Sequence, residues 1–195
     1  MPQEIPGIQN RELYEYSQIL IAAVKKMLHL KGGLVLSTEP DITEEKIVEF
    51  GRRMRVDGLS KFSEKTVFSN IVFYLSKTEM DNKQAIGSLV FYIPISYIAK
   101  LLWIFDYPRI DEDDETAVLD GCGTVANLLA GWFVKGLCGF GYIHLEMSHF
   151  ESFINTAVNG VEFSSDQTVK HRIDFCIKGQ KKLVAELTMG YIPRY

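Results

Sequence analysis

The stretch from Asp114 to Leu137 constrains this fold more than any other. It contains no proline, and Gly139 follows it as a stop. At about 100° per residue, Val118, Cys122, Val125, Leu129 and Phe133 share one face of a long helix. Asp120, Thr124, Asn127 and Gly131 share the opposite face, and Asp113 continues it toward the N-terminus. The apolar face belongs to a core. The plain reading of the polar face is a wetted surface. Four glycines (121, 123, 131 and 136) argue for more, because each costs roughly 1 kcal/mol relative to alanine in an exposed helix interior. Close contact with another helix or a partner would offset that cost. Asparagine is also a mediocre helix former, so Asn127 in mid-helix reads as an amide presented to a partner.

The elements around this helix suggest a mixed fold. Asn10 is placed to cap a helix in which Leu13, Tyr16, Leu20, Val24 and Met27 repeat at helical spacing, and Gly32-Gly33 stops it. Leu34–Ser37 is a short strand candidate. Thr43-Glu-Glu-Lys46 has the look of a helix cap, and Lys46–Val56 fits helix or strand. Thr66–Ser76 and Ile86–Ile93 are strand-like, with a polar turn at Thr78–Gln84 between them. A short helix is expected at Tyr97–Phe105. Tyr142–Phe150 alternates like a strand. Residues 151–166 read as a loop, with Asn159-Gly160 as a turn. Thr168–Lys178 and Lys181–Tyr191 form a hairpin around Gly179-Gln180. The expected fold is α/β (α+β): one domain over residues 1–195, a mostly antiparallel sheet with two long helices packed on one face.

Composition narrows the function. The chain has 195 residues, 47% of them apolar, and a net charge of −4. It carries no basic footprint for nucleic acid. The longest uncharged apolar stretch, Ile86–Ala99, is short and holds Pro94, so no membrane span is expected. The first residues lack a positive region followed by an apolar run, and no signal peptide is expected. The three cysteines lie far apart with no CxxC pair, which suits reduced thiols in a cytoplasmic protein.

The helix itself carries a resemblance. Asp120-Gly-Cys-Gly-Thr-Val-Ala-Asn127-Leu-Leu-Ala-Gly131 resembles the signature helix of the CheC/CheX/FliY chemotaxis phosphatases. Their pattern is Asp or Ser, three residues, Glu, two residues, Asn, then an apolar pair and a small-Gly step. Asp120, Asn127 and Ala130-Gly131 match; Thr124 stands where the family has Glu. The strand and helix from Gly87 and the hairpin at 168–192 resemble the family's order of elements. The resemblance covers residues 66–192, with helix 10–30 as the other long helix; residues 34–62 have no counterpart and form an insertion or extension.

The resemblance implies a partner and a chemistry. Family members bind a CheY-like response regulator and hydrolyse its phosphoaspartate. The regulator supplies the Mg, so no cofactor of the chain's own is implied. Asn127 takes the role of positioning water in line with phosphorus; Asp120, Thr124 and Gly131 fall to partner binding. Such chemistry rests on positioning and charge stabilisation. Thr124 cannot make the ion pair that the family Glu makes with a lysine of the regulator. The alternative is therefore a non-catalytic CheC-like adaptor. A dimerisation module is a further reading, with Thr66–Ser76 or the C-terminal strands supplying an edge for a homodimer.

Other residues read more simply. His144, Glu146 and His149 form HxExxH, not the HExxH zinc pattern, and no metal site is expected. Cys122 falls on the apolar face, as an inert thiol would. Arg52, Arg53 and Arg55 read as a wetted basic surface, the acidic run 111–115 as a solvated helix start, and Gly139-Phe-Gly141 as a helix stop.

Overall fold

Asn10 closes the first turn of α1 (Arg11–Gly32), where its side-chain oxygen accepts a hydrogen bond from the Leu13 backbone N–H at 2.9 Å. Gly33 ends the helix in the left-handed region, at φ 60°. The computed structural model describes residues 6–195. The chain continues through β1 (Asp41–Lys46), β2 (Glu49–Phe50), β3 (Arg53–Asp57), β4 (Thr66–Tyr74), α2 (Lys77–Asp81) and β5 (Gly87–Pro94). Then come α3 (Ile95–Ile104), α4 (Glu115–Gly139), β6 (Glu146–Met147), β7 (Glu151–Ile154), β8 (Ala157–Val161), β9 (Val169–Ile177) and β10 (Gln180–Met189).

The main sheet is antiparallel, in the order β1-β9-β10-β5-β4-β6, with β7 also paired to β4. The helices α1, α3 and α4 cover one face of it. Leu13, Tyr16, Leu20, Val24 and Met27 of α1 are all buried there, as their spacing predicts. They share that core with Val67, Ile71 and Phe73 of β4 and with Phe91 and Phe175. The hairpin at the end of the chain turns through Lys178 and Gly179, both at positive φ (52° and 75°). Two left-handed residues are what a tight turn between twisted strands requires.

The other face of the sheet is covered too. β2, β3 and β8 form a second, three-stranded sheet. It packs Met54, Val56 and Val161 against Phe68, Val90, Tyr92 and Val184. β4 and β5 are therefore buried at every position, which is why they read as continuous apolar runs. A charged cluster lies on this face. Lys61 and Lys170 both contact Glu186 Oε1, Lys170 at 2.9 Å, and the Tyr92 hydroxyl donates to Glu186 Oε2 at 2.6 Å.

Several expectations fail for identifiable reasons. Thr43-Glu-Glu-Lys46 caps no helix; it lies in β1, whose pairing with β9 overrides the local capping signal. Leu34–Ser37 makes only an isolated bridge, Leu36 to Ile177. The strand expected over Tyr142–Phe150 shrinks to Glu146–Met147. The expected loop 151–166 holds β7 and β8. Asn159-Gly160 is a bulge within β8, where the register against β3 shifts. The expected turn at Thr78–Gln84 includes the one-turn helix α2. Neither expected edge is free: β4 pairs on both sides, as do β9 and β10. The edges are the charged β1 and the β6/β7 side. Residues 34–62 supply that edge strand and part of the second sheet.

His171 links α1 to the sheet. Its Nδ1 lies 2.9 Å from Ser17 Oγ and its Nε2 3.1 Å from Glu44 Oε2. Burial pulls its pKa below the ordinary 6.5, more than the Glu44 carboxylate raises it. The unfolded chain therefore takes up this proton first. The stabilisation is fully present above pH 6.5 and is lost as pH falls through the folded value. Urea unfolding across this range is expected to show that loss, and His171→Phe to flatten it. An unchanged slope in the variant would mean that His171 is not its source.

Candidate functional site

α4 starts at Asp114, whose side chain accepts from the Ala117 N–H at 3.1 Å. Val118, Cys122, Val125, Leu129 and Phe133 are all buried, the last against Phe73 with ring centroids 5.7 Å apart. By length and composition α4 is apolar enough to cross a membrane. In the fold those apolar residues face the sheet and α1. Burial pushes the Cys122 thiol up to about 12, despite a hydrogen bond from Ser69, so it stays protonated and inert.

The opposite face is open where the helical spacing places it. Asp120 and Asn127 are exposed; Thr124 and Gly131 are half-buried. The four glycines now separate into two kinds. A Cβ on Gly121 would meet Leu102 Cδ1 at 2.7 Å, on Gly123 Phe150 Cδ2 at 2.1 Å, and on Gly136 Ile19 Cγ2 at 3.0 Å. These three let α3, Phe150 and α1 approach α4. A Cβ on Gly131 would meet nothing within 4 Å. Nothing in the fold requires glycine there. Gly131→Ala is expected to stabilise by about 1 kcal/mol, and Gly123→Ala to destabilise, since Phe150 must move. Thermal melts check both; a destabilised Gly131→Ala would place an unseen contact on this face.

Charge is graded along the face. The carboxylates of Asp111 to Glu115 and of Asp120 have no basic side chain within 4.0 Å among the described residues. Glu112, Asp113 and Glu115 line a groove of about 440 Å³ with Glu64 and Ser96. At the other end, Lys26 and Lys135 lie over the Trp132 ring, 5.5 and 5.3 Å from its centroid. Asn127 sits between the acidic and cationic ends. A second groove of about 440 Å³ opens at Gly131 and runs past Lys135 and Cys138 to His144 and Met147.

Asp120, Thr124, Asn127 and Gly131 lie along one face of α4. The structure does not gather His144, Glu146 and His149. Among the described residues no group of three His, Cys, Asp or Glu side chains is placed to hold a metal ion. Arg53 and Arg55 are not a free basic cluster; they reach Glu162 at 2.6 Å and Asn159 at 2.9 Å. The groove at Gly131 was not foreseen, because its far wall comes from residues 144–147 after the helix.

No protein-family model matches the sequence, and no curated protein does. The fold has relatives among solved structures. CheX from Desulfovibrio desulfuricans aligns over 90% of this chain and 99% of that chain, with TM-score 0.55 and 12% identity. A CheC-like superfamily protein from Shewanella sp. PV-4 aligns over 89% and 96%, with TM-score 0.53 and 15% identity. FliY from Thermotoga maritima aligns over 93% and 91%, with TM-score 0.53 and 13% identity. The chain has the fold of the CheC/CheX/FliY chemotaxis proteins.

Proposed function

We propose that this chain acts in chemotaxis-type or two-component signalling by docking a CheY-like response regulator on the exposed face of α4. Asn127 then positions a water molecule for hydrolysis of the regulator's phosphoaspartate. The observation that carries this reading is the open space at Gly131, one turn from an exposed mid-helix amide. The carboxamide oxygen can accept from the water while its N–H₂ donates to a phosphoryl oxygen, and neither group titrates. Asp120 and Thr124 flank that contact. The chain needs no cofactor of its own, since the regulator brings the metal ion.

The test is the dephosphorylation rate of a phosphorylated CheY-like receiver from the same organism, with and without this protein. Acceleration supports the reading. No acceleration and no binding would sink it. A second reading, a docking adaptor without catalysis, is favoured by one residue: Thr124 offers no carboxylate to a basic side chain of the partner. A hydrogen bond to a charged group is worth about 1.5–3 kcal/mol. If the adaptor reading holds, Thr124→Glu is expected to raise phosphatase activity by about ten- to a hundredfold. Intact binding with no gain would place docking elsewhere on the surface.

A further inference from the structure

α3 leaves one face uncovered. Ser96, Lys100 and Trp103 are exposed at helical spacing, with the half-buried Ala99 among them. The two ends of this face differ in charge. At the N-terminal end, Ser96 Oγ donates to Glu64 Oε2 at 2.5 Å. It borders the groove that holds Glu112, Asp113 and Glu115, where Lys65 is the one cation. At the C-terminal end, Lys100, Trp103 and Arg109 line a groove of about 320 Å³. The Arg109 guanidinium lies 5.9 Å from the Trp103 ring centroid. Trp103 is 59% exposed, and a tryptophan beside an arginine is the composition of an interface anchor. Among the described residues, none of these charged groups has an opposite charge within 4.0 Å. The rise from Ser96 to Trp103 is about 10 Å, so the two ends do not meet within one chain.

We propose that this face pairs with a second copy of the chain, the two α3 helices lying antiparallel across a two-fold axis near Ala99. The rotation sets the acidic groove of one copy against Lys100, Trp103 and Arg109 of the other. The same contact recurs on the far side of the axis. Each copy then supplies the charge that the other lacks, and the small Ala99 side chain at the crossing lets the backbones approach. An acidic peptide would satisfy only the cationic end; a second copy satisfies both ends at once. The contact lies away from the sheet edges, and the inference does not depend on the proposed function.

Sedimentation equilibrium of the full chain, over a concentration series at low and high salt, tests the pairing. A dimer that loosens as salt rises is expected, because the charges are exposed. Lys100→Glu/Arg109→Glu and, separately, Glu112→Lys/Asp113→Lys should each raise the dissociation constant by about a hundredfold, since every reversed charge acts twice across the axis. Trp103→Ala should raise it by about thirtyfold. Mixed in equal amounts, the two charge variants should form a heterodimer: the two reversed grooves oppose each other, and the two native ones do the same. All four positions are exposed and Asp114 still caps α4, so the circular dichroism of each variant should match the wild type. A wild-type monomer at every concentration, a dimer unchanged in either charge variant, or no heterodimer in the mixture would overturn the proposal.

Discussion

Glu186→Ala is expected to lower the unfolding free energy by about 3–5 kcal/mol, the range for removing one partner of a buried ion pair. The carboxylate is fully buried, and Lys61 and Lys170 beside it are 6% and 9% exposed. Its removal leaves the Lys61 and Lys170 ammonium groups together, with Glu45, 4.0 Å from Lys170, as the remaining carboxylate. Tyr92 loses its acceptor as well. Lys61→Met is expected to cost less, because Lys170 still neutralises the carboxylate, although the ammonium 5.0 Å from the Tyr92 ring centroid is lost. Urea unfolding measures both. A loss below about 0.5 kcal/mol for Glu186→Ala, the level of an ordinary surface substitution, would show that the cluster is wet and weak.

The same residue sets part of the acid response. Burial alone would raise the Glu186 pKa, but the ammonium groups of Lys170 and Lys61 more than offset it, and it lies below the ordinary 4.5. Its contribution is complete above that value and lost as pH falls through the folded one.

If the proposed phosphatase reading holds, Asn127→Ala is expected to lower that activity by about a hundredfold or more, since a misplaced water forfeits a gain of that size. Stability should stay level or rise, because the side chain is exposed and alanine is the better helix former by up to about 0.7 kcal/mol. Activity and melting temperature measured on one preparation separate the outcomes. Lost activity with an unchanged melting temperature supports the assigned role. A melting temperature several degrees lower would mean that Asn127 supports the fold instead. Full activity in the variant would remove Asn127 from the chemistry.

How far the sequence carried depends on the range of the interactions that decide each element. α4 was legible because its two faces follow from spacing alone; its start read only as an acidic run, and the structure makes Asp114 the cap. The central strands were legible because burial on both faces leaves them apolar throughout. β1 was not: Asp41–Lys46 is mostly polar and carries a helix-cap pattern, and only the ladder to β9 makes it a strand. β8 was hidden in the same way, since Asn159-Gly160 is a turn signal until β3 pairs across it. The Lys61–Glu186 contact joins residues 125 positions apart, and nothing local marks it. For the candidate site, the helix face could be read, but the meaning of its glycines could not. Only packing separates Gly121, Gly123 and Gly136 from Gly131.

Those three close-packed glycines have a consequence for recognition. They seat α4 against α3, Phe150 and α1 at distances that admit no added methyl group without movement of a neighbour. A helix packed this closely on three sides has little room to shift. Its outward surface is preorganised, so little ordering of this chain's backbone is left to oppose association. Under the proposed docking on α4, association should then proceed as the meeting of rigid bodies. The free and bound forms of this helix should superimpose within about 1 Å, and any reshaping on contact should fall to the partner.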